Sequence, residues 1–300
     1  TSSRSTKLLH GGVRYLRQSN LKLVMGALRE RGRVLANAPH LANAQPFVIP
    51  TYQRGESLYY GFGLGVYERL AGRASLGRSR RLDAAATCRE LPGLRSEKLR
   101  GGVLYHDGQF DDARLAVSLA ASAWDHGATL INYCQVADLL RAGGAGTPAA
   151  GVVARDRETG AEHEIPARIV VNATGVFCDS IRRMAEPNAA AWVAPSQGAH
   201  IVLDRRFLPG RTALMVPKTD DGRVLFAIPW QDRLLVGTTD VPVDDAEAEP
   251  RALPEEIDFL LDHAGRYLRD APCLRDVLSV FAGLRPLVRA GSGYSTSALA

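Results

Sequence analysis

The segment Thr-Ser-Ser-Arg-Ser-Thr-Lys-Leu-Leu-His-Gly-Gly-Val-Arg-Tyr (residues 1–15) decides the fold that we predict for this chain. It combines a run of hydroxyl side chains with Arg4, Lys7 and the consecutive glycines Gly11 and Gly12. Small donors and glycines are typical of a loop whose backbone approaches a phosphate or a flat ring closely. The chain begins inside this motif, because neither a strand nor a helix start of its own precedes it.

The composition indicates an ordinary globular chain that binds anions. Its 300 residues are 46% hydrophobic and 23% charged, enough for one large α/β unit or two domains. The net charge is +5 and comes almost entirely from arginine, which reflects either genome composition or affinity for phosphates or anionic lipids. No basic stripe is interleaved with aromatic residues, so no nucleic-acid partner is predicted.

The cysteines and acidic residues do not predict a metal site. Cys88, Cys134, Cys178 and Cys273 form no C-x-x-C pair, which argues against zinc and thioredoxin-like chemistry and favours reduced thiols in a cytosolic protein. The acidic loop within residues 105–115 fails the EF-hand spacing, so a turn followed by a helix cap explains it better.

Hydrophobic periodicity and breakers predict helices and strands in alternation. Helices are expected at residues 19–38, 87–94, 113–126 and 254–268. Strands are expected at 45–53 (short or at an edge, because prolines interrupt it), 101–107, the first half of 128–140 and a hairpin of 151–156 and 162–165. Residues 168–175 are expected to form a buried strand that runs into a turn of small residues. Consecutive antiparallel strands are expected at 200–203, 213–216, 224–229 and 233–236.

Several long motifs, in order along the chain, together resemble FAD-dependent, quinone-linked glycerol-3-phosphate dehydrogenases. Residues 1–15 resemble the family segment that follows the dinucleotide-binding βαβ unit. The other matching motifs are Tyr105–Leu115, Asn172–Gly175, Gln197–Val202, Gly237–Asp240 and Gly283–Leu287. The resemblance spans essentially the whole chain. It implies that the G-x-G-x-x-G fingerprint lies upstream of Thr1 and that a C-terminal part follows Ala300.

The resemblance implies an α/β fold in which a glutathione-reductase-like, Rossmann-type FAD-binding domain carries an inserted antiparallel β-sheet substrate domain. The FAD-binding domain is expected at residues 1–47, 107–185 and 281–300, discontinuous and incomplete. The substrate domain is expected at residues 48–106 and 186–280.

The resemblance also implies the site residues. The predicted catalytic residues are His200 as the base, with Arg285 and Arg14 holding the substrate phosphate or the developing oxyanion. Tyr15 and Thr238 join these three as predicted substrate contacts. The predicted FAD contacts are Thr1, Ser2, Ser3, Ser5, Thr6, Lys7, Leu9, His10, Gly11, Gly12, Val136, Ala173, Thr174 and Gly175.

The implied activity is oxidation of sn-glycerol 3-phosphate to dihydroxyacetone phosphate by hydride transfer to FAD, with quinone as the electron acceptor. The enzyme is expected to be cytoplasmic, peripheral on the inner face of the cell membrane, and a possible homodimer. Alternatives that stay open are a glycerol-3-phosphate oxidase that uses O₂, and an amine or amino-acid oxidase of the same superfamily. A further alternative is that residues 1–300 alone are inactive or act as an interaction module. We expect this piece to bind FAD poorly.

Overall fold

The computed structural model describes residues 2–13, 20–143 and 147–289. The chain divides into two compact units. The first unit comprises residues 1–118, 198–239 and 251–283, and the second comprises residues 119–197, 240–250 and 284–300. The divisions fall inside strands and a helix, so several elements contribute residues to both units.

Helices and strands alternate, as the sequence predicts. The helices are α1 (Leu21–Asn37), α2 (Glu56–Ala71), α3 (Ala84–Glu90), α4 (Asp112–Asp125), α5 (Cys178–Ala185) and α6 (Pro254–Tyr267). The strands are β1 (Leu8–Leu9), β2 (Ala42–Thr51), β3 (Arg80–Asp83), β4 (Gly101–Phe110), β5 (Cys134–Arg141), β6 (Ala149–Asp156), β7 (Glu162–Pro166), β8 (Val193–Asp204), β9 (Ala213–Val216), β10 (Leu225–Trp230), β11 (Arg233–Gly237), β12 (Val241–Pro242) and β13 (Ser279–Val288). The prediction of a mixed α/β fold is confirmed.

The first unit is built on one large sheet, in which the order is β1-β4-β2-β9-β10-β11-β8. Neighbours pair antiparallel except β2 and β9, which are parallel. The predicted antiparallel strands at 200–236 are therefore confirmed, with β11 rather than β9 beside β8. A core of buried aliphatic side chains from β8, β9, β10 and β11 packs against α6, and this core supports the strands that carry the candidate site.

Capping interactions fix the predicted helix starts. The Asn20 side chain accepts a hydrogen bond from the Leu23 amide at the start of α1. At α6, Pro254 occupies the first turn, and the Glu256 carboxylate accepts from the Leu253 amide at 2.9 Å. The periodic segments at 19–38 and 254–268 are thus confirmed as helices.

The second unit contains a three-stranded antiparallel sheet in the order β5-β6-β7. The predicted hairpin is confirmed, since β6 and β7 pair from Gly151↔Pro166 to Arg155↔Glu162. β12 pairs with the first residues of β8. Asp179 on α5 accepts hydrogen bonds from the Trp192 and Val193 amides and so fixes the start of β8.

The predicted buried strand at 168–175 is wrong. These residues form no strand, and Ile169 and Val171 are 78% and 81% exposed. An apolar run becomes a buried strand only where another strand satisfies its backbone groups, and none of the described residues pairs with this run. The apolar pattern indicates a tendency to be buried, and in this structure nothing described covers it.

Three other local predictions need correction. β2 is ten residues long and lies inside the sheet between β4 and β9, although it contains Pro46 and Pro50. Its contact with β9 is short and runs through Phe47 and Val48, so neither proline falls among the residues paired there. The strand at 128–140 lies in the second half of that range, as β5. No helix was predicted at Glu56–Ala71, where three glycines mask a helix whose Leu64 and Tyr67 are buried.

None of the helices in the described residues is both long enough and apolar enough to cross a membrane. The division into FAD-binding and substrate domains stays a prediction, since compactness alone does not say which ligand each part binds.

Candidate functional site

The N-terminal segment is tied to the first residue of α4 by a buried ion pair and to β4 by strand pairing. Lys7 Nζ lies 2.7 Å from Asp112 Oδ1, and both side chains are less than a tenth exposed. The Ser5 hydroxyl donates to the same carboxylate at 2.7 Å, and Leu8 and Leu9 pair with Gln109 and Gly108 as β1. Asp112, in the Asp-Asp-Ala-Arg motif at residues 111–114, therefore anchors the predicted cofactor segment.

His200 lies on β8, directly opposite Gly237 on β11. Its side chain is buried, and its Nε2 shares a hydrogen bond of 2.9 Å with Thr6 Oγ1. One face of the imidazole stacks on Phe281, with ring centroids 4.9 Å apart and planes 12° apart. A Cβ atom at Gly237 would collide with the ring, so only glycine fits beside it. The ring orientation is fixed by packing on both strands.

The strand end after Gly237 supports this arrangement. Thr239 Oγ1 accepts from the Ala199 amide at 2.7 Å and donates to Glu256 on α6. Thr238, predicted as a substrate contact, donates its hydroxyl hydrogen bond to the Thr239 carbonyl. Thr239 thus holds the strand end after β11 to β8 next to His200, and the role of Thr238 as a substrate contact stays a prediction.

The His10-Gly11-Gly12 loop packs against a buried polar cluster that the sequence did not indicate. The Gly11 amide donates to the Tyr67 hydroxyl at 2.6 Å, and the Gly12 amide donates to His10 Nδ1 at 3.0 Å. Gly12 has a φ of 70°, the left-handed region that favours glycine. Both glycines are therefore required by local geometry, at a close contact and at a turn.

Arg285 lies in the second unit, on β13. Its Nη1 is 3.2 Å from Asp240 Oδ1, and the side chain is about one third exposed. Asp240 also accepts a hydrogen bond from the Ser196 hydroxyl. Arginine is the side chain best suited to bind a phosphate or carboxylate bidentately, because its guanidinium is planar and carries several donors.

The predicted flavin contacts of the second unit lie on β5 and in the loop before α5. Val136 is half-buried on β5, opposite Ala154. Ala173, Thr174 and Gly175 are exposed, and Asn172 Oδ1 accepts from the Thr174 amide and hydroxyl. Gly175 has a φ of 60°, with open space where its side chain would be. The turn is therefore built as predicted, although no strand precedes it.

Three predicted site residues, Thr1, Arg14 and Tyr15, lie outside the described residues. The predicted clamp of Arg14 and Arg285 on one phosphate therefore stays a prediction. Within the first unit, the structure does join Thr6 to His200 and Ser5 to Lys7 through Asp112.

One cluster among the described residues has the composition of a metal site. Ligand atoms of Asp220, Asp262 and His263 lie within 4.8 Å of one another. Arg266 pairs with both carboxylates, at 2.7 Å from Asp220 and 2.5 Å from Asp262. This guanidinium offsets one of the two acidic charges and pairs with both carboxylates, so we interpret the cluster as an ion-pair network at the surface of the first unit.

The residues present fit FAD. Ser2 and Ser3 are exposed, and their hydroxyls precede the anchored Ser5–Leu9 segment. Exposed hydroxyls and turns such as Thr174-Gly175 are donors suited to the phosphates and ribose hydroxyls of a dinucleotide.

A protein-family comparison agrees with this chemistry. Residues 1–295 match the model of the family described as FAD dependent oxidoreductase. A mitochondrial glycerol-3-phosphate dehydrogenase of Macaca fascicularis is 41% identical over 302 residues, covering 96% of this chain and 41% of the relative. The corresponding mitochondrial protein of Arabidopsis thaliana is 41% identical over 314 residues, covering 100% of this chain and 49% of the relative.

A solved structure gives the same result. The glycerol-3-phosphate dehydrogenase of Bacillus halodurans, complexed with FAD, matches with a TM-score of 0.76 and 33% identity, over 96% of this chain and 50% of that one. This chain thus spans about half the length of the proteins that it matches. The resemblance inferred from the motifs is confirmed, and so is FAD as the family's cofactor.

Proposed function

Because this chain belongs to the FAD-dependent oxidoreductase family, we propose that the protein oxidises sn-glycerol 3-phosphate to dihydroxyacetone phosphate. The observation that carries the proposal is the hydrogen bond between Thr6 and His200, which places a buried imidazole against the segment predicted to contact the cofactor. About 40% identity to proteins named glycerol-3-phosphate dehydrogenase supports the choice of substrate.

Alcohol oxidation removes a hydride from C2 and a proton from the C2 hydroxyl. Bound FAD would supply the two-electron acceptor for the hydride. His200 Nε2 would take the hydroxyl proton as a general base, a role that a neutral imidazole nitrogen can fill. Stacking on Phe281 and the contact with Gly237 would hold the imidazole in one orientation during proton transfer.

Arg14 and Arg285 would bind the substrate phosphate, and Tyr15 and Thr238 would orient the glycerol carbons. The planar guanidinium of arginine can donate to two phosphate oxygens at once, and the Arg285 side chain is about one third exposed. Asp240 would restrict the Arg285 side chain, since Arg285 Nη1 donates to Asp240 Oδ1 at 3.2 Å.

FAD would contact the Ser2–Gly12 segment, Val136 and the Ala173-Thr174-Gly175 turn. The corresponding domain assignment is residues 1–47, 107–185 and 281–300 for the cofactor and residues 48–106 and 186–280 for the substrate. Ser2, Ser3 and the turn at Thr174 are exposed, which supports their availability to a ligand.

The electrons would pass to quinone, from an enzyme bound peripherally to the inner face of the cell membrane and possibly dimeric. The net charge of +5 is compatible with an anionic lipid surface. The relatives at about 40% identity are named dehydrogenases, which favours quinone over O₂ as the acceptor.

Steady-state assays of the protein from the complete reading frame, loaded with FAD, test the substrate and acceptor. We expect turnover of glycerol 3-phosphate with a soluble quinone analogue, and far slower turnover of glycerol, which lacks the phosphate. Oxygen uptake without quinone at a comparable rate would assign the protein to the oxidases. Turnover of an amino acid instead would refute the phosphate-binding role of Arg285.

A further inference from the structure

We propose that Tyr67 is a positioning residue that fixes the Gly11 amide and, through it, the loop that carries the predicted cofactor and substrate contacts. The inference rests on the proposed function for what the loop binds, but the contact itself belongs to the first unit alone. Nothing in the sequence motifs pointed to Tyr67, which lies in the middle of α2, the helix that the sequence did not predict.

The Tyr67 hydroxyl uses both of its hydrogen-bonding roles in the interior. It accepts from the Gly11 amide at 2.6 Å and donates to Asp107 Oδ2 at 2.9 Å. The side chain is 3% exposed. Burial, and then the neighbouring Asp107 carboxylate, raise the pKa of Tyr67 well above its usual value, so the hydroxyl stays protonated and keeps its donor role.

Asp107 is in turn held by a buried ion pair. Its Oδ1 accepts from Arg31 Nη1 at 2.8 Å, and both side chains are at most 3% exposed. Arg31 Nη2 donates to the Ala74 carbonyl at 2.8 Å, which leaves the guanidinium little freedom. Separating the two groups would leave each charge buried without its partner, which is strongly unfavourable. The ion pair therefore keeps the Asp107 carboxylate in place.

The loop meets this cluster at a position where only glycine fits. A Cβ atom on Gly11 would collide with the Tyr67 hydroxyl and with Leu28. The backbone thus approaches Tyr67 as closely as it can, and the next residue, Gly12, turns with a positive φ. A chain of hydrogen bonds from Arg31 through Asp107 and Tyr67 to the Gly11 amide therefore fixes the position of the loop relative to α1 and α2.

A Tyr67→Phe variant tests the role, because it removes both hydrogen bonds while keeping the ring. The matched control is Tyr105→Phe, since the Tyr105 side chain is about as buried as that of Tyr67 but its hydroxyl donates to the Met215 sulfur, at 2.9 Å, and not to the loop. Hydrogen exchange of the peptide spanning residues 8–13 and equilibrium binding of FAD are measured on the complete protein. Unfolding midpoints of both variants report any general loss of stability.

We expect exchange at Gly11 to accelerate, and FAD affinity to fall, by about tenfold or more in Tyr67→Phe and by less than about twofold in Tyr105→Phe. Gly11→Ala should weaken FAD binding likewise while leaving the Arg31–Asp107 pair intact, which covers the case that Tyr67→Phe does not fold. Equal exchange and equal FAD affinity in Tyr67→Phe and Tyr105→Phe would overturn the positioning role. Neither readout needs glycerol 3-phosphate, so a wrong substrate assignment would leave this test intact.

Discussion

Thr6 Oγ1 and His200 Nε2 share a hydrogen bond of 2.9 Å, although 194 positions separate the two residues in the chain. The contact exists because β1 pairs with β4 and the Lys7–Asp112 ion pair holds the segment in place. Since Thr6 lies in the segment predicted to contact the cofactor, the predicted base faces the cofactor segment, as alcohol oxidation requires.

His200→Asn should lower kcat by about 10²–10⁴-fold, because the amide cannot take the hydroxyl proton. Reduction of the bound flavin in a single turnover is the appropriate measurement, since it isolates the chemical step. His126→Gln is the control, at an exposed position beyond the end of α4. Equal reduction rates in both variants would exclude His200 as the base.

Gly237→Ala should abolish most activity, because the added methyl would collide with the buried His200 ring. The ring cannot move aside on its other face, since it stacks on Phe281 there. Gly26→Ala is the matched control. Gly26 lies inside α1 with open space around it, so alanine should stabilise the helix by up to about 1 kcal/mol. Flavin reduction rates and thermal unfolding of the two variants check both expectations. Full activity in Gly237→Ala would contradict the packing described for His200.

Lys7→Met should lower the free energy of unfolding by about 3–5 kcal/mol, because it leaves the Asp112 carboxylate buried without its cation. Lys22→Met, at an exposed position on α1, should change stability by less than about 0.5 kcal/mol. Urea unfolding curves give both values. If the two midpoints coincide, the ion pair does not anchor the N-terminal segment.

Arg285→Ala should raise KM for glycerol 3-phosphate by about tenfold or more, as expected for loss of a charge-assisted hydrogen bond to phosphate. The discrimination between glycerol 3-phosphate and glycerol should fall with it. Arg275→Ala, at an exposed position, is the control. An unchanged preference for the phosphorylated substrate would show that Arg285 does not contact the phosphate.

The contribution of Asp179 to stability should depend on pH. Burial by itself would raise its pKa, but the Val193 and Trp192 amides and the Arg182 guanidinium lower the pKa below its usual value. Its stabilising effect is therefore complete above the pKa of the unfolded chain, about 3.9, and is lost as pH falls through the lower pKa of the folded protein.

Asp179→Asn should consequently destabilise the second unit at neutral pH, and the difference from wild type should shrink below about pH 4. Unfolding midpoints measured across this range test the expectation, with the exposed Asp125→Asn as control. A difference that stays constant down to the acid transition would contradict the proposed hydrogen bonds.

The predictable parts of this fold are those set by local sequence. α1 and α6 follow from helical periodicity and their caps, and the β6–β7 hairpin follows from its Glu158-Thr159-Gly160 turn. The strand predicted within residues 168–175 was wrong because a strand depends on a partner strand, which local sequence does not specify. α2 was missed because its three glycines oppose helix formation, and the packing of Leu64 and Tyr67 overrides that local preference.

In the candidate site, too, features set by local motifs were predictable and features set by long-range contacts were not. His200 and the Gly11-Gly12 loop were found from motifs, but Asp107 and Asp112 were interpreted only as parts of a turn and a cap. Their buried ion pairs with Arg31 and Lys7 join residues 76 and 105 positions apart. Such long-range pairing leaves no periodic or spacing signal in a single sequence.

The most direct test of the central claim is an anaerobic titration of the FAD-loaded protein from the complete reading frame with glycerol 3-phosphate. The visible absorption band of oxidised flavin is followed at each addition. We predict that the band bleaches fully at saturating glycerol 3-phosphate and that glycerol at the same concentration leaves it unchanged. A flavin that stays oxidised with glycerol 3-phosphate, or that bleaches equally with glycerol, would contradict the account.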